Sequence, residues 1–565
     1  MRAHHSFGLV SPAAAIALLL GFAALFHAGE PAAICFAEVS QSSKLSFVTR
    51  NSPTPNKNQI ETMVAGVALL DYDQDGYLDV FLVNGAEIPS LIKTSPAYWN
   101  RLFHNNRDGT FTDVTEKAGV KGVGFGMGVA VGDYDNDGYP DIFVANVGDN
   151  QLLHNNRDGT FSDVTLTAHL QGEQYKGRKM WSTAGGWFDY NNDGLLDLFV
   201  VNYCVWAVNQ DPYCSSPGGS RSYCHPRFYE PLHASLYRND GGGRFTDVSE
   251  ETGIARSLGR GMSVSFADFD GDGYVDAFVA NDASPNFLFH NIAGKRFEEI
   301  GVAAGIAYND DGNALSGMGS DFRDVNNDGR PDIWHTAVER ETFPLYLNIG
   351  NTFFAATASS GLGRYTVSMS GWGNGIMDFD NDGWKDLFVA RSNVLDNVAE
   401  ANDGRTYAEP NSVFRNLGNG KFEDVSSFAG DGFEQPAPHR GVAFGDLDND
   451  GRIDAVVTVL GGAPKVFRNV SINQNHWLLV KLVGTRSNRS GLGAQLRLVD
   501  AAGRTQWNHA TTSVGYASSS DSRVHFGLGD SPTVRELEVR WPSGARQLLR
   551  NIKVDRILTV QEPNP

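Results

Sequence analysis

Short apolar runs alternate with polar turns along most of the chain, and the runs fall into groups of four. One group is typical. Gly128-Val129-Ala130-Val131 comes first, then a polar turn, then Asp141 to Asn146, which carries Ile142-Phe143-Val144-Ala145. Leu152-Leu153-His154-Asn155 and Gly159 to Thr165 follow, joined by the Asn/Arg/Asp/Gly turn that hairpins favour. The pattern predicts four antiparallel strands. The third and fourth of them recur at Leu102 to Thr115, Leu236 to Ser249, Leu288 to Ile300, Leu345 to Thr357 and Val413 to Ser426. Four-stranded units at this period are propeller blades, and seven units predict seven blades in an all-β fold. After Val466-Phe467-Arg468-Asn469 in the seventh unit no fourth strand follows. Lys44-Leu45-Ser46-Phe47-Val48-Thr49 has the missing pattern, so residues 44–50 are expected to close the last blade and remove a free sheet edge.

The turn between the first and second strands carries the chemistry. In Asp133-Tyr134-Asp135-Asn136-Asp137-Gly138-Tyr139-Pro140-Asp141 carboxylates stand at positions one, three, five and nine, and glycine at six. Acidic groups packed this closely repel one another unless a hard cation with many oxygen ligands sits among them. The glycine permits the backbone reversal. Apolar strand-like flanks and the lack of a Glu at position twelve distinguish the motif from an EF-hand. The candidate side-chain ligands are Asp71, Asp73, Asp75 and Asp79; Asp133, Asp135, Asp137 and Asp141; Asp189, Asn191, Asp193 and Asp197; Asp268, Asp270, Asp272 and Asp276; Asp324, Asn326, Asp328 and Asp332; Asp378, Asp380, Asp382 and Asp386; and Asp446, Asp448, Asp450 and Asp454. Seven repetitions of one spacing predict up to seven Ca²⁺ ions.

Charge supports this reading. The formal net charge is −20, and the seven loops alone hold 26 carboxylates, so the acidity is concentrated at the proposed sites. No basic stripe is visible, which argues against a nucleic-acid partner. With 565 residues the chain exceeds one ordinary compact domain. Residues 1–37 read as a secretory leader: Arg2 is followed by an apolar run from Pro12 to Phe26, too short to span a bilayer, with a small-x-small site ending at Ala37. An uncleaved anchor or a lipidated Cys35 are the alternatives. The mature chain is expected to have no transmembrane span and to be periplasmic, on the cell surface or extracellular. Export makes a disulfide plausible in the long insertion between the third and fourth repeats, Tyr203 to Arg238. Cys214–Cys224 is the expected pair with Cys204 buried, and Cys204–Cys214 is the alternative.

Beyond Asp454 the loop pattern stops. Trp477 to Leu482, Ala494 to Val499, Val524 to Phe526, Leu537 to Trp541 and Ile557 to Val560 alternate like strands of a separate β domain, and Ser487 to Ala494 and Gly515 to Ser522 read as ordered loops. The expected division is a leader over 1–37, a propeller over 38–472 and a β domain over 473–565. The repeats resemble FG-GAP/VCBS repeats through Gly-Val-Ala-x-Gly-Asp-x-Asp-x-Asp-Gly-x-x-Asp. The tail resembles the ASPIC/UnbV domain through Asn475 to Leu478, Ser487 to Ala494, His525 to Gly529 and Trp541-Pro542-Ser543-Gly544. The order of parts resembles the cartilage acidic protein (ASPIC/UnbV) family of secreted proteins. That resemblance implies Ca²⁺ in the loops, held also by the position-seven carbonyls of Tyr77, Tyr139, Leu195, Tyr274, Arg330, Trp384 and Arg452. It implies no defined activity. The third and fifth loops carry Asn at position three and are expected to bind more weakly.

No nucleophile motif, phosphate loop or zinc spacing is present. His104, His154 and His290 recur before Asn in strand three and read as blade packing. Met127, Trp181, Arg260, Met318, Trp372 and Arg440 precede the innermost strands, so they should ring one mouth of the channel, either as a binding patch or, with more weight, as its packing. The expected function is that of an exported, calcium-rigidified module that binds a protein or glycan. The alternative, a calcium-dependent carbohydrate-active enzyme such as a polysaccharide lyase, needs a convergent acid/base pair that the sequence does not display.

Overall fold

A computed structural model describes residues 34–564 apart from Pro217 and Asp310. Of the leader predicted over residues 1–37, residues 1–33 lie outside the described residues. Among the described residues, seven four-stranded antiparallel sheets follow one another, each with its strands in the order expected for a blade. The first strands are Val67–Leu70, Phe125–Gly132, Ser182–Phe188, Gly261–Ala267, Ser320–Arg323, Gly371–Met377 and His439–Gly445. Each packs on the next, and His439–Gly445 packs back on Val67–Leu70, so the ring is closed. Small residues on these strands let the blades approach. A Cβ at Gly186 or Gly375 would lie 2.3 Å from a ring carbon of Phe266 or Phe444 in the following blade.

The closing strand differs from expectation. Phe36–Glu38, not residues 44–50, pairs antiparallel with Lys465–Asn469, in the register Phe36 to Asn469 and Glu38 to Phe467. The reason is packing. Phe36 is buried and has its ring within 6.4 Å of those of Phe379, Phe388, Phe433 and Phe467. The 44–50 segment instead turns Leu45 and Phe47 into the core between the first and last blades, and Thr49 makes one bridge to Leu460. A cleavage after Ala37 would therefore remove the residue around which the last blade closes.

The C-terminal domain has two sheets. In one, His476–Val483 lies between Val524–Gly529 and, in parallel, Arg556–Gln561; in the other the order is Thr505–His509, Gln495–Asp500, Thr533–Arg540 and Arg546–Lys553. Its core of Leu478, Val480, Leu496, Leu498, Leu537 and Trp541 is continuous with Phe143, Trp187 and Leu198 of the second and third blades. The domain sits on the face of the propeller that carries the aspartate loops. Trp507 packs against Gly329 and Trp477 against Gly451. The Arg489 N–H donates to Asn136 Oδ1 at 2.7 Å, Gln495 Nε2 to Asp268 Oδ2 at 2.9 Å, and Arg523 Nη2 to the Asp446 carbonyl at 3.1 Å.

Candidate metal centres and the cleft between the domains

Each aspartate loop is built by its own residues before any ion is considered. The Gly138 N–H donates to Asp133 Oδ2 at 2.8 Å with φ at +96°, a backbone conformation that a side chain would strain. The ninth-position carboxylate anchors the second strand. Asp141 Oδ2 accepts from the Tyr134 N–H at 3.2 Å and Oδ1 from the Asn155 N–H at 2.8 Å. The Asn155 amide then reaches the preceding blade and donates to the Tyr72 carbonyl at 2.9 Å. The same relay runs through Asn105, Asn239, Asn291, Asn348, Asn416 and Asn469. Across the closing seam Asn105 donates to the Leu447 carbonyl at 2.9 Å, so one bond type links all seven blades. Sequence reasoning missed this asparagine, although it recurs at the end of strand three in every repeat.

The carboxylates left after this bonding can hold a metal ion. Ligand atoms lie within 4.8 Å of one another in Asp71/Asp73/Asp79 and Asp133/Asp135/Asp137. Asp71 Oδ1 and Asp73 Oδ1 are buried without a hydrogen-bond partner. Burial first, and then neighbouring carboxylates, push Asp79 up to about 9 and Asp133 up to about 7, against the hydrogen bonds from Asn105 and Gly138 that lower them. Asp189 is raised to about 7 and Asp268 and Asp446 to about 6, again first by burial. Crowded, buried, unpartnered oxygens of this kind fit a hard cation and not an uncharged ligand.

The recurring histidines do more than pack. Their rings lie 6.1 Å from Tyr72 for His104, 5.9 Å from Tyr134 for His154 and 5.4 Å from Phe269 for His290, as packing requires. Each also aims a nitrogen at the loop. His104 Nδ1 is 3.3 Å from both Asp73 and Asp79, His154 Nδ1 is 3.1 Å from Asp141 Oδ1, and His290 Nε2 is 3.0 Å from Asp270. The hydrogen bond to Asp141 raises the His154 pKa.

The predicted channel mouth is filled. Met127, Trp181, Met318, Trp372 and Arg440 are buried, and Arg260 is tied by its guanidinium to Ser284 and to the Tyr229 carbonyl. Residues 511–522 of the C-terminal domain thread the channel from the loop face. Ala517 and Ser519 carbonyls accept from the Val129 and Leu69 N–H groups at 3.0 Å, and the Gly515 N–H donates to the Ser320 carbonyl at 2.8 Å. Tyr516 reaches the far end, where its hydroxyl donates to the Met63 carbonyl at 2.9 Å and its ring lies 5.1 Å from that of Trp372. The Arg440 guanidinium carbon lies 3.9 Å from the centroid of the Trp372 ring. The ring of residues predicted before strand one is therefore packing. The insertion after the third blade's second strand caps it, with Trp206 and Tyr229 joining the same apolar cluster. A Cys214–Cys224 disulfide ties the insertion, and Cys204 is buried and free.

A cleft opens on the loop face between the two domains. Position-four asparagines link successive loops: Asn136, Asn192, Asn327, Asn381 and Asn449 each donate to the position-six carbonyl of the next blade. The fourth loop has Gly271 at this position and the first has Gln74, whose amide turns back to the Asp71 carbonyl. Between the first and second loops a cleft of about 610 Å³ separates Asp71, Asp133 and Asp137 from Lys481, Arg489 and Arg523 of the C-terminal domain. Arg523 is paired with Asp521 at 2.7 Å. Lys481, half-buried, lies beside Asp71 and opposes the rise in its pKa. No helix among the described residues is long and apolar enough to cross a membrane.

Family models match stretches in both parts of the chain. An FG-GAP-like repeat model matches residues 71–144, 133–200, 230–279, 268–335, 324–389 and 378–457, and an ASPIC and UnbV model matches residues 484–565. Cartilage acidic protein 1 of Homo sapiens is 25% identical over 517 residues, covering 88% of this chain and 71% of its own. The Xenopus tropicalis protein is 23% identical, covering 88% and 64%. Among solved structures, YCF48 bound to a D1 peptide is similar with a TM-score of 0.41 at 9% identity, over 79% of this chain and 100% of that one.

Proposed function

The chain belongs to the FG-GAP-like repeat family and ends in an ASPIC and UnbV domain, and from that premise we propose that it is an exported, calcium-binding β-propeller that binds an acidic protein or glycan ligand between its two domains. The carrying observation is the cleft of about 610 Å³ at the domain junction, the one seam among the first three loops where the position-four asparagine link is missing. Its volume is that of a ligand site, and domain junctions are where such sites concentrate. Cations would be held by the side chains at positions one, three, five and nine of each loop with the position-seven carbonyls, as in the repeat family. In the first two loops each divalent ion would offset half the charge of its four carboxylates on one wall of the cleft, and Lys481 and Arg489 supply the positive charge of the other wall. A ligand bearing carboxylates fits against that basic wall.

Calcium in this reading is structural first, because the loops staple the first and second strands of every blade. The disulfide in the insertion and the likeness to secreted cartilage acidic proteins support export. The test is binding of a uronate oligosaccharide and of its neutral counterpart to the full chain, in calcium and in chelator. The acidic sugar should bind at least about tenfold more tightly, and K481A/R489A should abolish the difference, since a lost charge-assisted bond is worth about 1.5–3 kcal/mol. Equal binding of both sugars, or a double variant that binds like the parent, would overturn the site. Lys481 beside a metal loop also suits a lyase, and an ultraviolet-absorbing unsaturated product would show turnover.

A further inference from the structure

The residue just before the strand-three asparagine projects along the aspartate loop of its own blade, and it is not the same in all seven. It is His104, His154 and His290 in the first, second and fourth blades, and Leu347 in the fifth. In the third it is Arg238, which turns outward to Asp240, with Nε 2.9 Å from Oδ1. In the sixth and seventh it is also arginine, but turned inward. Arg415 Nε lies 2.8 Å from Asp380 Oδ2 and its Nη2 3.1 Å from Asp382 Oδ2, which spans positions three and five. Arg468 Nε lies 3.1 Å from Asp454 Oδ2, and the same guanidinium is paired with Asp448, which spans positions nine and three.

We infer that in the sixth and seventh blades a guanidinium takes the place of the metal ion, so that the chain holds no more than five cations in its loops. The inference rests on the calcium reading for the other loops, and it parts from that reading at these two. Guanidinium nitrogens only donate, and a hard cation needs the same carboxylate oxygens as ligands, so the two compete for one set of lone pairs. The surface arginines of other loops do not compete in this way. Arg107 and Arg157 each touch a single oxygen, on Asp75 and Asp137, from side chains more than half exposed. Arg415 and Arg468 are rooted on the strand itself, only 33% and 18% exposed, and each ties two ligand positions together. Charge explains the three orientations. Arg238 stands beside a loop with Asn191 at position three and is drawn to Asp240 instead, whereas Arg415 and Arg468 stand beside loops with four carboxylates.

The test is the number of calcium ions per chain, measured by equilibrium dialysis and atomic emission on the full-length protein. The parent should hold five or fewer, R415Q and R468Q should each gain one, and H154R should lose one. A parent with seven ions, or arginine variants that gain none, would overturn the inference. A parent with no ion while R415Q and R468Q bind one each would uphold it and sink the calcium reading of the remaining loops. If R415Q and R468Q unfold, calcium added to the unfolded variant should restore its circular dichroism spectrum and its one added ion. Failure of that rescue together with an H154R that keeps its full complement of ions counts against the inference.

Discussion

Asp79 in the first blade and Glu562 in the C-terminal domain are both buried, and the chain treats them in opposite ways. Burial pushes Asp79 up to about 9, with two backbone N–H donors and further aspartates beside it. Burial would raise Glu562 too, but the Ser543 hydroxyl and the N–H groups of Arg486, Ser487 and Thr485 outweigh it and hold the carboxyl down at about 2. The domain compensates its carboxylate entirely from its own chain. The blade leaves a deficit of positive charge, and that deficit is what a cation would supply. At these two carboxylates, then, the blade leaves a charge to be met from outside, and the domain meets its own from within.

The largest effect that sharpens this contrast is removal of calcium. Each filled loop adds about 2.7 kcal/mol at a hundredfold excess of ion over its Kd, so chelation should lower the unfolding temperature steeply. D137N should remove about one loop's share. The sign with pH follows from the raised carboxylates: their folded values exceed the ordinary 3.8, so the folded state binds more protons in between. In chelator, stability should be greatest near pH ~4 and fall as pH rises towards ~9, and calcium should flatten that slope. An equally steep slope with calcium present would break the comparison.

Packing at the closing strand comes next, and it separates closure from cations. F36A should cost about 3–5 kcal/mol, as expected for a buried aromatic side chain. The loss should be the same in calcium and in chelator when read by denaturant titration. A loss confined to chelator would mean that ions, not Phe36, close the ring. A smaller effect is expected at the relay between blades. N155A removes a donor to the Tyr72 carbonyl and leaves a buried acceptor unpaired, costing about 1–3 kcal/mol. Its effect should persist at saturating calcium, because the bond is not part of the ion's shell.

How much of this was legible in the residues follows from the range of the forces involved. The loops were legible because coordination demands fixed spacing over nine residues, and the strands on either side were legible through their alternation. The disulfide was legible because Cys214 and Cys224 stand 10 residues apart within one long insertion. The closing strand was not, because Ile34 and Phe36 continue the apolar run of the leader, while Lys44 to Thr49 has the better alternation. Its pairing with Lys465–Asn469 spans most of the chain, beyond any local signal. The plug was hidden for a related reason. Residues 511–522 are mostly small and polar, and their partners are backbone groups of five different blades. The strand-three asparagine carried a signal in its sevenfold recurrence, but as a turn-favouring residue beside a turn it had a simpler local explanation.

The smallest effect is expected at Glu562, and it bears on the cleft. Its Oε2 accepts from the N–H groups of Thr485, Arg486 and Ser487 at 2.8–2.9 Å, and its Oε1 from the hydroxyls of Ser487 and Ser543 at 3.1 and 2.5 Å. That bonding fixes the loop whose Arg489 N–H meets Asn136 at the edge of the cleft. The folded value of about 2 lies below the ordinary 4.5, so the contribution is fully present above pH ~4.5 and is lost as pH falls towards ~2. Discounted for solvent screening, it is worth about 1–2 kcal/mol. E562Q should remove this acid-side dependence and leave the calcium dependence of the propeller unchanged. It should also weaken uronate binding without changing the number of bound ions, because it frees the loop that carries Arg489 and touches no aspartate loop ligand. If E562Q instead lowers the ion count, the domain is not self-sufficient, and the two ways of holding a buried carboxylate are coupled through the interface.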